Sequence, residues 1–180
     1  QIFTVNQDGV HTSVIFFDDF EDQDVSDWKQ VKPAWNVVNG NLTGSSAGMA
    51  YITSPNFGGC SNCTFETDIT LETANARASV LAWHVDKKNM IEMRLFADKN
   101  KFDLRYKSAG RIVQRKKLKQ QLVLNQSYHL RLVYTNSKIE AYVDQVLILE
   151  LNIQNVPFGN AGFRVKSAGG AASAHAGQIL

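Results

Sequence analysis

Apolar and polar residues alternate with a period of two through most of this chain, and no long helical period appears. In the stretch from Tyr128 to Tyr134, residues Tyr128, Leu130, Leu132 and Tyr134 share one parity, and His129 and Arg131 share the other. A strand points successive side chains to opposite faces, so such a run buries one face and leaves the other polar. The same pattern predicts strands at Val14–Phe20, Trp35–Val38, Asn41–Thr43, Ala50–Thr53, Cys63–Leu71, Ala78–Val85 and Met90–Phe96. It continues at Lys101–Lys107, Arg111–Lys117, Ser127–Thr135, Lys138–Val143, Val146–Leu151 and Ala161–Val165. Turn residues punctuate these runs at Asn39-Gly40, Asp98–Asn100, Ala109-Gly110, Asn136-Ser137 and Asp144-Gln145. Short strands at about ten-residue spacing predict an all-β fold, an antiparallel β-sandwich with almost no helix.

Parity also sorts the side chains. Leu81, Trp83 and Val85 share one side of their strand, and Ala82 and His84 the other. Ile91, Met93 and Leu95 point inward, as do Phe102, Leu104 and Tyr106, and Ile139, Ala141 and Val143. The outward set is His84, Glu92, Arg94, Asp103, Arg105, His129, Arg131, Glu140 and Tyr142. If these strands are neighbours in one curved sheet, the outward residues line a single face. Arginine forks and carboxylates hydrogen-bond sugar hydroxyls, and tyrosine stacks on a sugar ring. The competing explanation is a solvated face crossed by ion pairs.

The 180 residues suffice for one domain with a sizeable core. A net charge of +2 is too small to argue for nucleic acid. No apolar run is long enough to span a membrane. The basic run Arg111–Lys119 suits an edge strand kept soluble by lysine, or a grip on an acidic glycan. Cys60 and Cys63 lead into an alternating segment rather than a helix, and no second CxxC or close histidine pair accompanies them. A local disulfide is the preferred reading, with free thiols or redox and metal chemistry as alternatives. A disulfide, and sequons at Asn41, Asn62 and Asn125, fit an oxidising compartment: secreted, periplasmic or cell surface. Residues 1–13 read as an arm or edge strand, 14–167 as the sandwich, and the Gly/Ala-rich 168–180 as a linker or the start of a closing strand.

The order FFDDFED, then Trp28, then AWNVVNGNLTG, and later YHLRLVYTNSKIEAYVDQVLILEL, resembles the concanavalin A-like and laminin G-like jelly-roll modules of secreted proteins. The usual Gly of the second passage is Gln145 here. The resemblance implies a lectin-like jelly roll that binds a glycan or polysaccharide, alone or joined to other domains of a larger chain. It also implies a structural Ca²⁺ near Asp19 and Glu21, in an acidic segment that offers several carboxylate oxygens.

The expected ligand face is therefore His84, Glu92, Arg94, Arg105, Arg131 and Tyr142. Trp35 and Trp83 suit the core, whereas Trp28 follows a polar loop and is the best aromatic for a rim contact. Catalysis by Glu92, Asp103 and Glu140, or by a lyase-like set of His84, His129, Arg94 and Tyr142, lacks the tight motifs of known enzymes. The sequence thus favours a non-catalytic binding or adhesion module over a structural spacer or a glycan-cleaving enzyme.

Overall fold

A computed structural model describes residues 3–5, 11–13, 16–32, 34–55, 62–135, 137–154, 159–166 and 171–179. The strands, in chain order, are β1 (Phe3–Val5), β2 (His11–Ser13), β3 (Phe16–Asp18), β4 (Lys29–Gln30), β5 (Trp35–Val38) and β6 (Asn41–Ser45). Then follow β7 (Met49–Thr53), β8 (Asn62–Leu71), β9 (Arg77–Asp86), β10 (Asn89–Phe96), β11 (Lys101–Ser108) and β12 (Arg111–Lys119). The last are β13 (Ser127–Thr135), β14 (Lys138–Val143), β15 (Val146–Asn152), β16 (Asn160–Lys166) and β17 (Ala171–Ile179). The one helical segment among the described residues is a single 3-10 turn, Ala97–Lys99.

Two antiparallel sheets carry the fold. One runs β12-β11-β10-β9-β16-β7-β4, and the other β15-β14-β13-β8-β17-β6-β5 with β3 also paired to β17. Strands β1 and β2 pair antiparallel with each other as a two-stranded sheet. The inward parity of both sheets forms one core. Ile91, Met93 and Leu95 face it from the first sheet, and Leu130, Leu132, Ile139 and Ala141 from the second, all without solvent exposure. Rings join the layers: Trp83 meets Tyr134 at 5.0 Å, Phe65 meets Phe163 at 5.9 Å and Phe102 meets Tyr128 at 6.1 Å between centroids. Each fully buried side chain of this size contributes about 1.5–3 kcal/mol of transfer free energy.

One expectation is resolved and two change. The Gly/Ala-rich tail is the nine-residue strand β17, hydrogen-bonded between β8 and β6 in the middle of the second sheet. Its small residues carry no alternation, so the sequence left a linker and the start of a closing strand as alternatives, and described residues 171–179 form a strand. The parity of β9 flips at Trp83, whose φ of 53° makes a bulge. Ala82 and Trp83 both face the core, while Leu81 joins Tyr51 and Met90 in a small cluster on the other side. Trp28 is no rim residue. It is 4% exposed, packs on Phe16, Phe20 and Phe163, and donates its indole N–H to Asp18.

The hairpin turn at Asp144-Gln145 keeps its tight form without glycine. Asp144 has φ 48° and Gln145 φ 69°, matching the two-residue turns at Asn39-Gly40 and Ala109-Gly110. Both central residues of such a turn lie in the left-handed region, which costs a non-glycine residue about 1–2 kcal/mol. Gln145→Gly should therefore stabilise the protein by about 0.5–1 kcal/mol after its extra unfolded-state entropy. A urea midpoint that stays put or falls would count against this account of the turn.

Candidate functional site

The outward parity of the first sheet brings charged residues together in register. Arg94 on β10 lies opposite Asp103 on β11, and Glu92 lies opposite Arg105. On the other side of β10, Arg94 faces Ser79 of β9, and Ser79 in turn faces Arg164 of β16. A short serine therefore sits between two long arginines, and the surface sinks there into a cleft of about 210 Å³. Arg77, Arg94, Arg105, Arg164 and Lys166 line it, with Phe96 and Met49 at its side.

The charges beneath the cleft are buried. Glu92 and Asp103 are 0% exposed. Arg164 Nη2 reaches Glu92 Oε2 at 3.0 Å, and Arg105 pairs with Glu92 Oε1. Arg94 Nη2 reaches Asp103 Oδ2 at 2.9 Å, and Arg115 Nε donates to both oxygens of Asp103 at 2.9 and 3.1 Å. Burial pushes the Asp103 carboxyl up, but its bonds to Arg115 and Arg94 outweigh this and hold it below the usual carboxylate range. Arg94, Arg77 and Lys101 also gather around the Phe96 ring, at 4.9, 5.6 and 4.4 Å from its centroid. His84 lies on this same outward side, its ring 5.5 Å from that of Tyr51. Burial pulls its pKa below the ordinary histidine value, against the pull of Asp86 and Glu92, so it is neutral at pH 7.

The expected ligand face does not exist as one surface. His84, Glu92, Arg94 and Arg105 belong to the first sheet, whereas Arg131 and Tyr142 lie on β13 and β14 of the second. Alternation fixes parity within a strand but not which sheet receives it. Arg131 stacks on Tyr142 at 4.2 Å from the ring, and the Tyr142 hydroxyl donates to Glu140 at 3.1 Å. Nearby, His129 Nδ1 sits 2.9 Å from Asp68 and Arg131 Nε 3.9 Å from Glu66. That outer face is a half-exposed ladder of cross-strand ion pairs. The basic strand β12 is an edge strand, as one of its two readings held.

Sequence reasoning missed Arg77, Ser79, Arg164 and Lys166. The last two were readable, because Ala161, Phe163 and Val165 are buried on the opposite parity of β16.

The acidic segment forms a loop of self-satisfied turns. Asp18 Oδ1 accepts the Phe20 amide at 2.8 Å, Asp19 Oδ1 the Glu21 amide at 3.2 Å and Asp24 Oδ1 the Ser26 amide at 2.8 Å. Among the described residues no three His, Cys, Asp or Glu side chains converge on a common point. Cys63 is buried at the head of β8, and Cys60 lies outside the described residues.

With two packed antiparallel sheets and a polar cleft on one outer face, the fold is a concanavalin A-like jelly roll of the lectin and glucanase type. Residues 16–179 match the family described as the 3-keto-alpha-glucoside-1,2-lyase-like domain, and the chain belongs to it. Among solved structures, the carbohydrate-binding module CBM66 from Bacillus subtilis is 20% identical, with a TM-score of 0.71 over 83% of this chain and 92% of that one. The Bacillus licheniformis beta-glucanase is 11% identical, with a TM-score of 0.73 over 92% of this chain and 97% of that one. The endo-beta-1,3-glucanase from Pyrococcus furiosus is 11% identical, with a TM-score of 0.71 over 96% and 95%. No curated protein sequence matches the chain. Among the described residues no helix is long and apolar enough to cross a membrane.

Removing one partner of a buried ion pair leaves an uncompensated charge, at a typical cost of 3–5 kcal/mol. Glu92→Gln should therefore destabilise the fold by about 3 kcal/mol, since Arg105 and Arg164 both lose their carboxylate. Urea denaturation showing a loss under about 1 kcal/mol would mean the pair is solvated.

Proposed function

We propose that this chain is a non-catalytic carbohydrate-binding or adhesion module, and that it holds its ligand in the arginine-lined cleft of the seven-stranded sheet. The observation that carries this reading is the convergence of Arg94, Arg105 and Arg164 around Ser79 on one outer face. Planar guanidinium groups held by buried carboxylates are rigid donors, suited to oriented sugar hydroxyls or oxyanions. The fold is shared with a protein titled a carbohydrate-binding module and with glucanases, which favours a glycan as the ligand class. The two carboxylates under the cleft have no solvent access, which favours binding over acid–base chemistry there. A secreted, periplasmic or cell-surface location is part of the proposal, as is a disulfide between Cys60 and Cys63.

A glycan-cleaving role is the second reading, favoured by the lyase named in the family description. Incubation with a bound oligosaccharide, followed by mass spectrometry of the products, separates the two. Release of smaller sugars at a rate above the protein-free control decides for cleavage.

Binding measured by calorimetry on glycans found with an array should weaken by about 1–3 kcal/mol in Arg94→Gln, through loss of a charged hydrogen bond. Tyr142→Ala, on the opposite sheet, should bind as wild type does. The reverse result would move the site to the second sheet. For the cysteines, thiol titration of unreduced protein should find no free thiol; two free thiols would remove the disulfide and the argument for an oxidising compartment.

A further inference from the structure

Resting on the glycan-binding reading, we propose that the cleft around Ser79 selects sugars that carry an oxyanion, a uronate carboxylate or a sulfate ester, over neutral sugars. The first support is a charge count. Arg94, Arg105, Arg115 and Arg164 share only two buried carboxylates, Glu92 and Asp103. Each arginine reaches a carboxylate, but two acids serve four arginines, and Lys101 also lies 4.0 Å from Asp103, so this network carries an excess of positive charge. Lys166 adds a further cation at the cleft, while Arg77 is matched by Asp98 at 3.2 Å. Among the described residues no carboxylate lines the cleft itself.

The second support is burial. Arg94 is 8% exposed and Arg164 is 7% exposed, yet the Nε–H of each has no hydrogen-bond partner among the described residues. Leaving such donors unmet is unfavourable in a protein interior, more so when the group is charged. Burial also pulls the Arg94 pKa down, against its bonds to Asp103 and the charge of Glu92. An incoming oxyanion brings negative charge to this cation-rich network through the arginine and lysine side chains that line the cleft. Guanidinium forks bind carboxylate and sulfate oxygens through paired N–H donors, which a neutral hydroxyl does not match.

The third support is size. A shallow cleft of about 210 Å³ is smaller than a typical site for a drug-sized ligand and suits one sugar unit of a longer chain. The Phe96 ring beside it is already ringed by cations and offers no free stacking platform. Recognition by charge, rather than by ring stacking, is what remains.

The test is titration calorimetry on the intact chain with two matched pairs of probes. One pair is tetragalacturonate and its methyl ester, and the other is a sulfated galactan tetrasaccharide and its desulfated form. At least one charged probe should bind about tenfold or more tightly than its neutral partner, the worth of one charge-assisted hydrogen bond. Which pair shows the gap tells carboxylate from sulfate. The gap should narrow in Arg164→Lys, which keeps the charge and loses the fork. It should narrow too in the double variant Arg77→Ala with Lys166→Ala, whose more exposed side chains are remote from the core. Equal binding within both pairs would overturn the oxyanion preference and leave glycan binding standing. Failure of all four probes, with neutral glycans binding on an array, would overturn it as well. Silence from every glycan would remove both proposals. Inorganic sulfate competing as well as the sulfated sugar would show an ion site with no sugar selection, against the proposal.

Discussion

Glu92 and Asp103 sit on the outer face of a sheet with no access to water, and that placement governs the chemistry of the whole face. A carboxylate buried there is stable only if cations surround it. The pairing of β10 with β11 puts one directly opposite each acid: Arg105 across from Glu92, Arg94 across from Asp103. Arg164 and Arg115 then arrive from the flanking strands β16 and β12. The four arginines cover the acids, and this covering makes the acids buried. Each strand in the row thus depends on its neighbours for electrostatic balance as well as for backbone hydrogen bonds. A row of this kind holds side chains in fixed directions, which a purely solvated face would not do.

Much of this was legible in the sequence. Alternation sorted Ile91, Met93 and Leu95 from Glu92 and Arg94, and Phe102 and Leu104 from Asp103 and Arg105, and only the apolar members of each set join the shared core. Ser127–Thr135 and Lys138–Val143 matched to the residue. What alternation cannot carry is the assignment of strands to sheets. That choice depends on long-range pairing, and here it put Arg131 and Tyr142 across the core from Arg94. Nor does a side-chain pattern reveal a strand with little side chain. Strand β17 takes its place through backbone bonds to β8 and β6, so its neighbours specify it more than its own composition does.

The parity break at Trp83 has the same origin. A left-handed residue inserts one extra position into β9, and a large ring that would have faced outward enters the core against Tyr134. His84 is thereby carried to the outer face, where it meets Tyr51. No local sequence signal marks the site, since tryptophan is an unusual residue at positive φ.

The two outer faces, built by the same antiparallel rules, differ in one respect that bears on function. On the second sheet, Arg131 and Lys138 meet Glu66 and Glu140 in the half-exposed ladder, cation against carboxylate, and His129 lies against Asp68. Such pairs exchange with water and contribute little. On the first sheet the acids are outnumbered and sealed beneath the arginines. Among the described residues no carboxylate lines the cleft, so none of them can relieve the imbalance by moving closer. It can be relieved only by water, by mobile anions or by a bound group of negative charge. A water-filled cleft is the weakest of these partners for rigid guanidinium donors, because water offers neither net charge nor a fork to match theirs. The face with excess positive charge is therefore the one whose free energy a ligand has most room to lower.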